Sequence, residues 1–195
     1  MGHVIKNLAF FKIGWVACVM FAAAGEPLLA TLSVVAVAVV HLASVKAPVK
    51  EALLLLAAAV IGLGWESFMV WTGLVQYTGY ESALLAPYWI VAMWVLFATT
   101  VNHGLRWTKR NLWVASLAGL LGGPMAFFGG MNLGAVEFSH TAAALTVIGL
   151  GWALLLPVLT LVADTIIDST LLEPAEDRDS RTQRRKLTHL ELGYE

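Results

Sequence analysis

Residues 52–75 read ALLLLAAAVIGLGWESFMVWTGLV, a run in which Glu66 is the single ionisable group. About 20 apolar residues cross the hydrocarbon core of a bilayer. An isolated run there must satisfy its own backbone, which makes helix the expected state. A charged and unpaired carboxyl at that depth costs roughly 2.5–3.5 kcal/mol or more. The stretch therefore predicts a membrane helix, and it marks Glu66 as a group the chain keeps for a reason.

Working outward, the rest of the chain is of the same material. Of 195 residues, 59% are hydrophobic and 13% charged, which excludes an ordinary soluble domain. Six spans are predicted, at Leu8–Gly25, Leu28–Val45, Ala52–Val75, Pro87–Trp107, Leu112–Met131 and Ala142–Ile166. The fold class expected is an all-α, six-helix transmembrane bundle. Gly25-Glu26-Pro27 is too short for anything but an antiparallel hairpin of the first two helices. Residues 1–167 form the membrane domain on this reading and 168–195 a charged tail. That tail, with EPAEDRDSRTQRRK at 173–186, has no apolar periodicity and is expected to be solvated. Its basic residues alternate with Asp177 and Asp179, and no aromatics are interleaved, so no nucleic-acid partner is expected.

The cations set an orientation. Lys6 and Lys12 lie near the N-terminus, Lys46 and Lys50 in the second connection, and Arg106, Lys109 and Arg110 in the fourth. Arg178, Arg181, Arg184, Arg185 and Lys186 lie in the tail, and these make up all 12 Lys and Arg. The other connections carry none. The positive-inside rule then predicts both termini on the cytoplasmic side. Tyr77, Tyr80, Tyr88 and Trp89 are expected as the outer aromatic belt, with Trp107 and Trp113 as the inner one. Trp15, Trp65, Trp94 and Trp152 lie deeper and are expected to pack or to face lipid. The first apolar run is followed at once by others, so it reads as a helix and not as a cleaved leader. Cys18 is the single cysteine, so no intramolecular disulfide can form.

Helical rise puts Glu66 roughly 21 Å from the start of its run, past the midplane toward the outer leaflet. Its level is shared with Glu26, Glu81, Asn132, Glu137 and His140. Gly122-Gly123-Pro124 in the fifth run predicts a kinked or broken helix, because proline removes a donor and clashes one turn back. The candidate intramembrane polar site is therefore Glu66 with Gly122, Gly123, Pro124, Asn132, Glu137 and Glu26. No cation is available at that level, so a neutral Glu66 is the expected state and a proton-linked role its sharpest reading. A second polar cluster, Lys12, His41, Asn102 and His103, is expected near the inner face. His41 and His103 could serve as metal or haem ligands on neighbouring helices, but no spacing supports it. No HExxH, CxxC, phosphate loop or nucleophile elbow occurs. Neither catalytic residues nor a metal or cofactor are predicted. Ile61-Gly-Leu-Gly-Trp65 recurs as Ile148-Gly-Leu-Gly-Trp152, which raises the question of a 3+3 inverted repeat.

FFKIGWVACV at 10–19, APYWIVAMWVLFATTVNHGLRW at 86–107 and LLGGPMAFFGGMNLGAVEF at 120–138 resemble the signature segments of a family of small bacterial inner-membrane proteins. This is the domain-of-unknown-function 2878 family. The resemblance covers about residues 8–166. The family typically has glutamine where this chain has Lys12 and aspartate where it has Glu66. Its members are often encoded beside genes for cyclopropane-type fatty-acid modification and oxidative-stress response, which implies a lipid-related role by association. The leading expectation is a small transporter or lipid-handling protein with a cavity around Glu66. The alternatives are a non-catalytic accessory subunit of a membrane fatty-acid modification system, or a membrane-embedded enzyme acting on an acyl or quinone substrate. The expected partners are membrane lipids, with a membrane protein or a second copy as further possibilities.

Overall fold

The computed structural model describes residues 2–82 and 84–168. The expectation of a solvated tail concerns 168–195 and, beyond Asp168, lies outside the described residues. Six α-helices account for most of the chain: α1 (Gly2–Ala23), α2 (Pro27–Ser44), α3 (Pro48–Trp71), α4 (Tyr88–Val101), α5 (Leu112–Asn132) and α6 (Thr141–Asp168). A short 3-10 turn, Arg106–Arg110, precedes α5. Among the described residues, five helices are long and apolar enough to cross a membrane, all but α4. Large apolar side chains such as Ile13, Val60, Leu121 and Leu154 point outward, exposed, all around the bundle. Such a surface is unstable in water and ordinary against lipid tails. The chain is a multi-pass membrane protein.

Helix boundaries follow local rules. Pro27 and Pro48 open α2 and α3, where a missing N–H costs nothing. At the end of α1 Gly25 takes a positive φ of 75°, and Glu26 N donates to Phe21 O at 2.9 Å. That is the Schellman closure which reverses the chain into α2. The same closure at Gly134 (φ 84°) ends α5, with Ala135 N donating to Gly130 O at 3.0 Å.

The fourth helix departs from expectation. It was predicted to run to Trp107 but stops at Val101, giving about 21 Å of helix, short of a full span. The reason lies on α1. Asn7 Nδ2 donates to Thr99 O at 2.9 Å and Asn7 Oδ1 accepts from Gly104 N at 3.1 Å, so one side chain satisfies both sides of the helix end. The Thr99 and Thr100 hydroxyls also bond back, to Leu96 O and Phe97 O. A short helix is tolerated because α4 is the centre of the bundle, packed against α1, α2, α3 and α6, with most of its side chains buried.

The connections expected to be plain loops hold a second difference. Val75–Tyr77 (β1) and Val136–Phe138 (β2) pair antiparallel, with Val75 opposite Phe138, Gln76 opposite Glu137 and Tyr77 opposite Val136. The period of two sends Val75, Tyr77 and Val136 inward and Gln76 and Glu137 outward. This two-stranded ribbon covers one end of the bundle. Tyr77 and Trp89, expected in an interfacial belt, are core residues at 2% and 3% exposure. Trp107, Trp113 and Tyr88 are exposed. The fifth helix runs unbroken through Pro124 and the sixth through Pro157, so of the kink or break expected in the fifth no break occurs. The two Ile-Gly-Leu-Gly-Trp segments pack unequally: Gly64 meets open space, whereas its counterpart Gly151 lies against the Trp65 ring.

Candidate functional site

Among the described residues, two polar constellations are built on α3 inside the bundle, about 22 Å apart along its axis from the 15-residue separation of Glu51 and Glu66.

The first is Glu66. It is fully buried, at 0% exposure. Its Oε1 accepts from Trp94 Nε1 at 2.8 Å and its Oε2 accepts from the Tyr77 hydroxyl at 2.5 Å. Three elements meet there: α3 supplies the carboxyl, α4 the indole and β1 the phenol. Trp94 reaches it because Gly62, one turn before Glu66, leaves no side chain in the way. A Cβ on Gly62 would run into the Trp94 indole. The indole then stacks on Trp152 of α6, with ring centroids 4.7 Å apart and planes at 22°. Trp152 in turn sits over Gly119 and Gly123 of α5, where a Cβ would strike its backbone or ring. Tyr77 is held edge-on to Trp89, centroids 5.3 Å apart at 87°.

Beside this triad lies a cavity of about 80 Å³, open at its mouth. Its walls are mostly apolar, among them Phe11, Trp15, Met93, Phe97, Phe127 and Trp152, and Glu66 and Tyr77 also line it. The indole N–H of Trp152 is buried with no hydrogen-bond partner among the described residues.

The residues expected beside Glu66 are elsewhere. Glu26 is exposed at the start of α2, and Glu137 points outward opposite Gln76. The Asn132 amide donates to Phe128 O of its own helix at 2.8 Å. Gly122 faces open space, Gly123 seats Trp152, and Pro124 lies against Gly149. No hydrogen bond joins any of them to Glu66; its bonded partners among the described residues are the neutral donors Tyr77 and Trp94.

The second constellation is centred on Glu51, in the first turn of α3 and 6% exposed. His41 Nε2, near the end of α2, lies 3.3 Å from Glu51 Oε2, and His103 Nε2, just past α4, lies 3.2 Å from Oε1. Asn102 Nδ2 donates to Oε1 at 3.1 Å. Lys109 Nζ donates to Asn102 Oδ1 at 2.7 Å and pairs with Asp164 of α6 at 2.6 Å. The two imidazoles meet edge to face, centroids 5.1 Å apart. Of the expected inner cluster, His41, Asn102 and His103 come together and Lys12 does not. The first helix begins at Gly2, six residues earlier than expected, which carries Lys12 away from that end. Its ammonium lies 4.5 Å over the Trp15 ring.

Sequence reasoning missed Glu51, Tyr77 and Trp94. In the sequence Glu51 falls in the polar connection before the third apolar run, although Pro48 marks a helix start just before it. Nothing local announces that His41 and His103 converge on it. No curated protein and no solved structure matches the chain significantly. A family model matches residues 4–158, and over that span the chain belongs to the family described as protein of unknown function DUF2878.

Proposed function

We propose that this is a lipid-handling protein of a bacterial inner membrane, with both termini cytoplasmic, that receives an apolar chain in the cavity beside Glu66. The observation that carries this reading is the chemistry of the cavity wall. Aromatic and aliphatic side chains make up most of it, and both Glu66 oxygens are already engaged by Tyr77 and Trp94. Proton-coupled transport of a polar solute would call for a wet path to a carboxyl free to exchange protons. A mostly apolar pocket with few polar groups suits an acyl or isoprenoid chain instead. Trp152, whose N–H has no hydrogen-bond partner among the described residues, is one of the wall residues. The cation distribution supports the orientation.

Photocrosslinking tests it. A long-chain fatty acid bearing a diazirine, incubated with the protein in nanodiscs, is expected to label cavity residues such as Met93, Phe97 or Phe127. Ala126→Trp, at an exposed position on the cavity rim, should cut that labelling about tenfold with folding intact. Labelling confined to outward side chains, unchanged by Ala126→Trp, refutes the reading. The enzyme alternative has one observation in its favour, the convergence of two histidines and a carboxylate at Glu51.

A further inference from the structure

We infer that His41, Glu51 and His103 bind a divalent first-row transition metal, zinc or ferrous iron. This departs from the sequence-based expectation of no metal, and it is independent of the ligand cavity. The donor set is two imidazoles and one carboxylate from three separate segments of the chain. It suits zinc and ferrous iron and is a poor set for calcium or magnesium.

The spacing carries the inference. In a tetrahedral site with ligands ~2.0–2.1 Å from the metal, neighbouring donor atoms lie ~3.3 Å apart. His41 Nε2 lies 3.3 Å from Glu51 Oε2 and His103 Nε2 3.2 Å from Oε1, so each imidazole stands at ligand spacing from one of the two carboxylate oxygens. All three donor atoms lie within 4.8 Å of one another. Bringing the remaining separations to that spacing needs shifts of at most about 1.5 Å. His103 can make them, because its side chain is 34% exposed while those of His41 and Glu51 are 7% and 8% exposed. Three protein ligands leave at least one coordination position for water or a substrate group, and the exposed side at His103 is where it would open.

The surroundings fit a ligand carboxylate. Asn102 donates to Glu51 Oε1 and is itself fixed by Lys109, whose charge is paired with Asp164. Hydrogen bonds of this kind orient a ligand and tune the metal, and their loss typically costs 10–100-fold in affinity. Asn102 is a positioning residue on this reading.

The test uses the full chain in detergent, stripped with a chelator and titrated first with Co²⁺ as a spectroscopic stand-in, then with Zn²⁺. One equivalent of Co²⁺ should produce a visible ligand-field band that Zn²⁺ displaces. Glu51→Gln and His103→Gln should weaken binding by roughly 100-fold or more, taking the outer-shell effect as a lower bound, and Asn102→Ala by about 10–100-fold. His103 is the least buried of the three, so His103→Gln tests the site even if Glu51→Gln fails to fold. If wild-type protein gives no saturable band, or if His103→Gln binds cobalt unchanged, the cluster is a hydrogen-bonded network only and the inference is overturned. Zinc or iron co-purifying at near one equivalent by elemental analysis would tell which metal the cell supplies.

Discussion

Tyr77→Phe is the sharpest probe of the buried triad. The substitution removes one oxygen and keeps a ring that is 2% exposed and packed edge-on against Trp89. No cavity larger than a hydroxyl results. What is lost is the 2.5 Å bond to Glu66 Oε2, which leaves a fully buried carboxyl oxygen without a donor. An unsatisfied buried group costs about 1–3 kcal/mol, more if charged. Glu66→Gln should cost less, under about 1 kcal/mol, because the amide oxygen still accepts from Trp94 and the amide N–H can donate to the Tyr77 oxygen. Glu66→Leu orphans the phenol and the indole together and should cost roughly 2–5 kcal/mol. The decisive measurement is a double-mutant cycle on purified protein, by reversible unfolding in mixed micelles. In the Glu66→Leu background, Tyr77→Phe should cost nothing and recover about 1–3 kcal/mol, since it removes the phenol that Glu66→Leu has orphaned. If Tyr77→Phe costs the same in both backgrounds, the phenol stabilises through packing and the triad is not a unit.

Three further outcomes follow from the same geometry. Gly62→Ala should destabilise by about 1–3 kcal/mol in the same assay, because the new methyl meets the Trp94 indole, while Gly64→Ala, in open space, should be neutral or stabilising by up to ~1 kcal/mol; the reverse order would sink the packing argument. Asn7→Ala should cost about 1–2 kcal/mol and raise hydrogen exchange at Gly104, since Asn7 holds both Thr99 O and Gly104 N; unchanged exchange there would count against it as the stop of α4. In a Cys18→Ser background, an impermeant thiol reagent on intact cells should label a cysteine at Glu81 and spare one at Lys46, and the opposite pattern would invert the proposed orientation.

What could be read without tertiary structure was whatever a lone segment must do in lipid. An apolar run long enough to cross has to be helical whatever it packs against, so six helices were legible, and so was the cost of a carboxyl at Glu66. Short-range turn chemistry was legible too, as at Gly25 and Pro27, because the groups that satisfy the backbone lie within a few residues. Whatever depended on a partner far along the chain was hidden. The end of α4 is set by Asn7, on another helix. Tyr77 reads as an interfacial tyrosine until β2 pairs with β1 and turns it inward onto Glu66. Glu51 reads as a loop carboxylate until α2 and the end of α4 bring His41 and His103 to its two oxygens. The physical reason is the same in each case. Burial in lipid acts on a segment alone, whereas hydrogen bonds between side chains act on pairs, and the pairing is decided by how the helices pack.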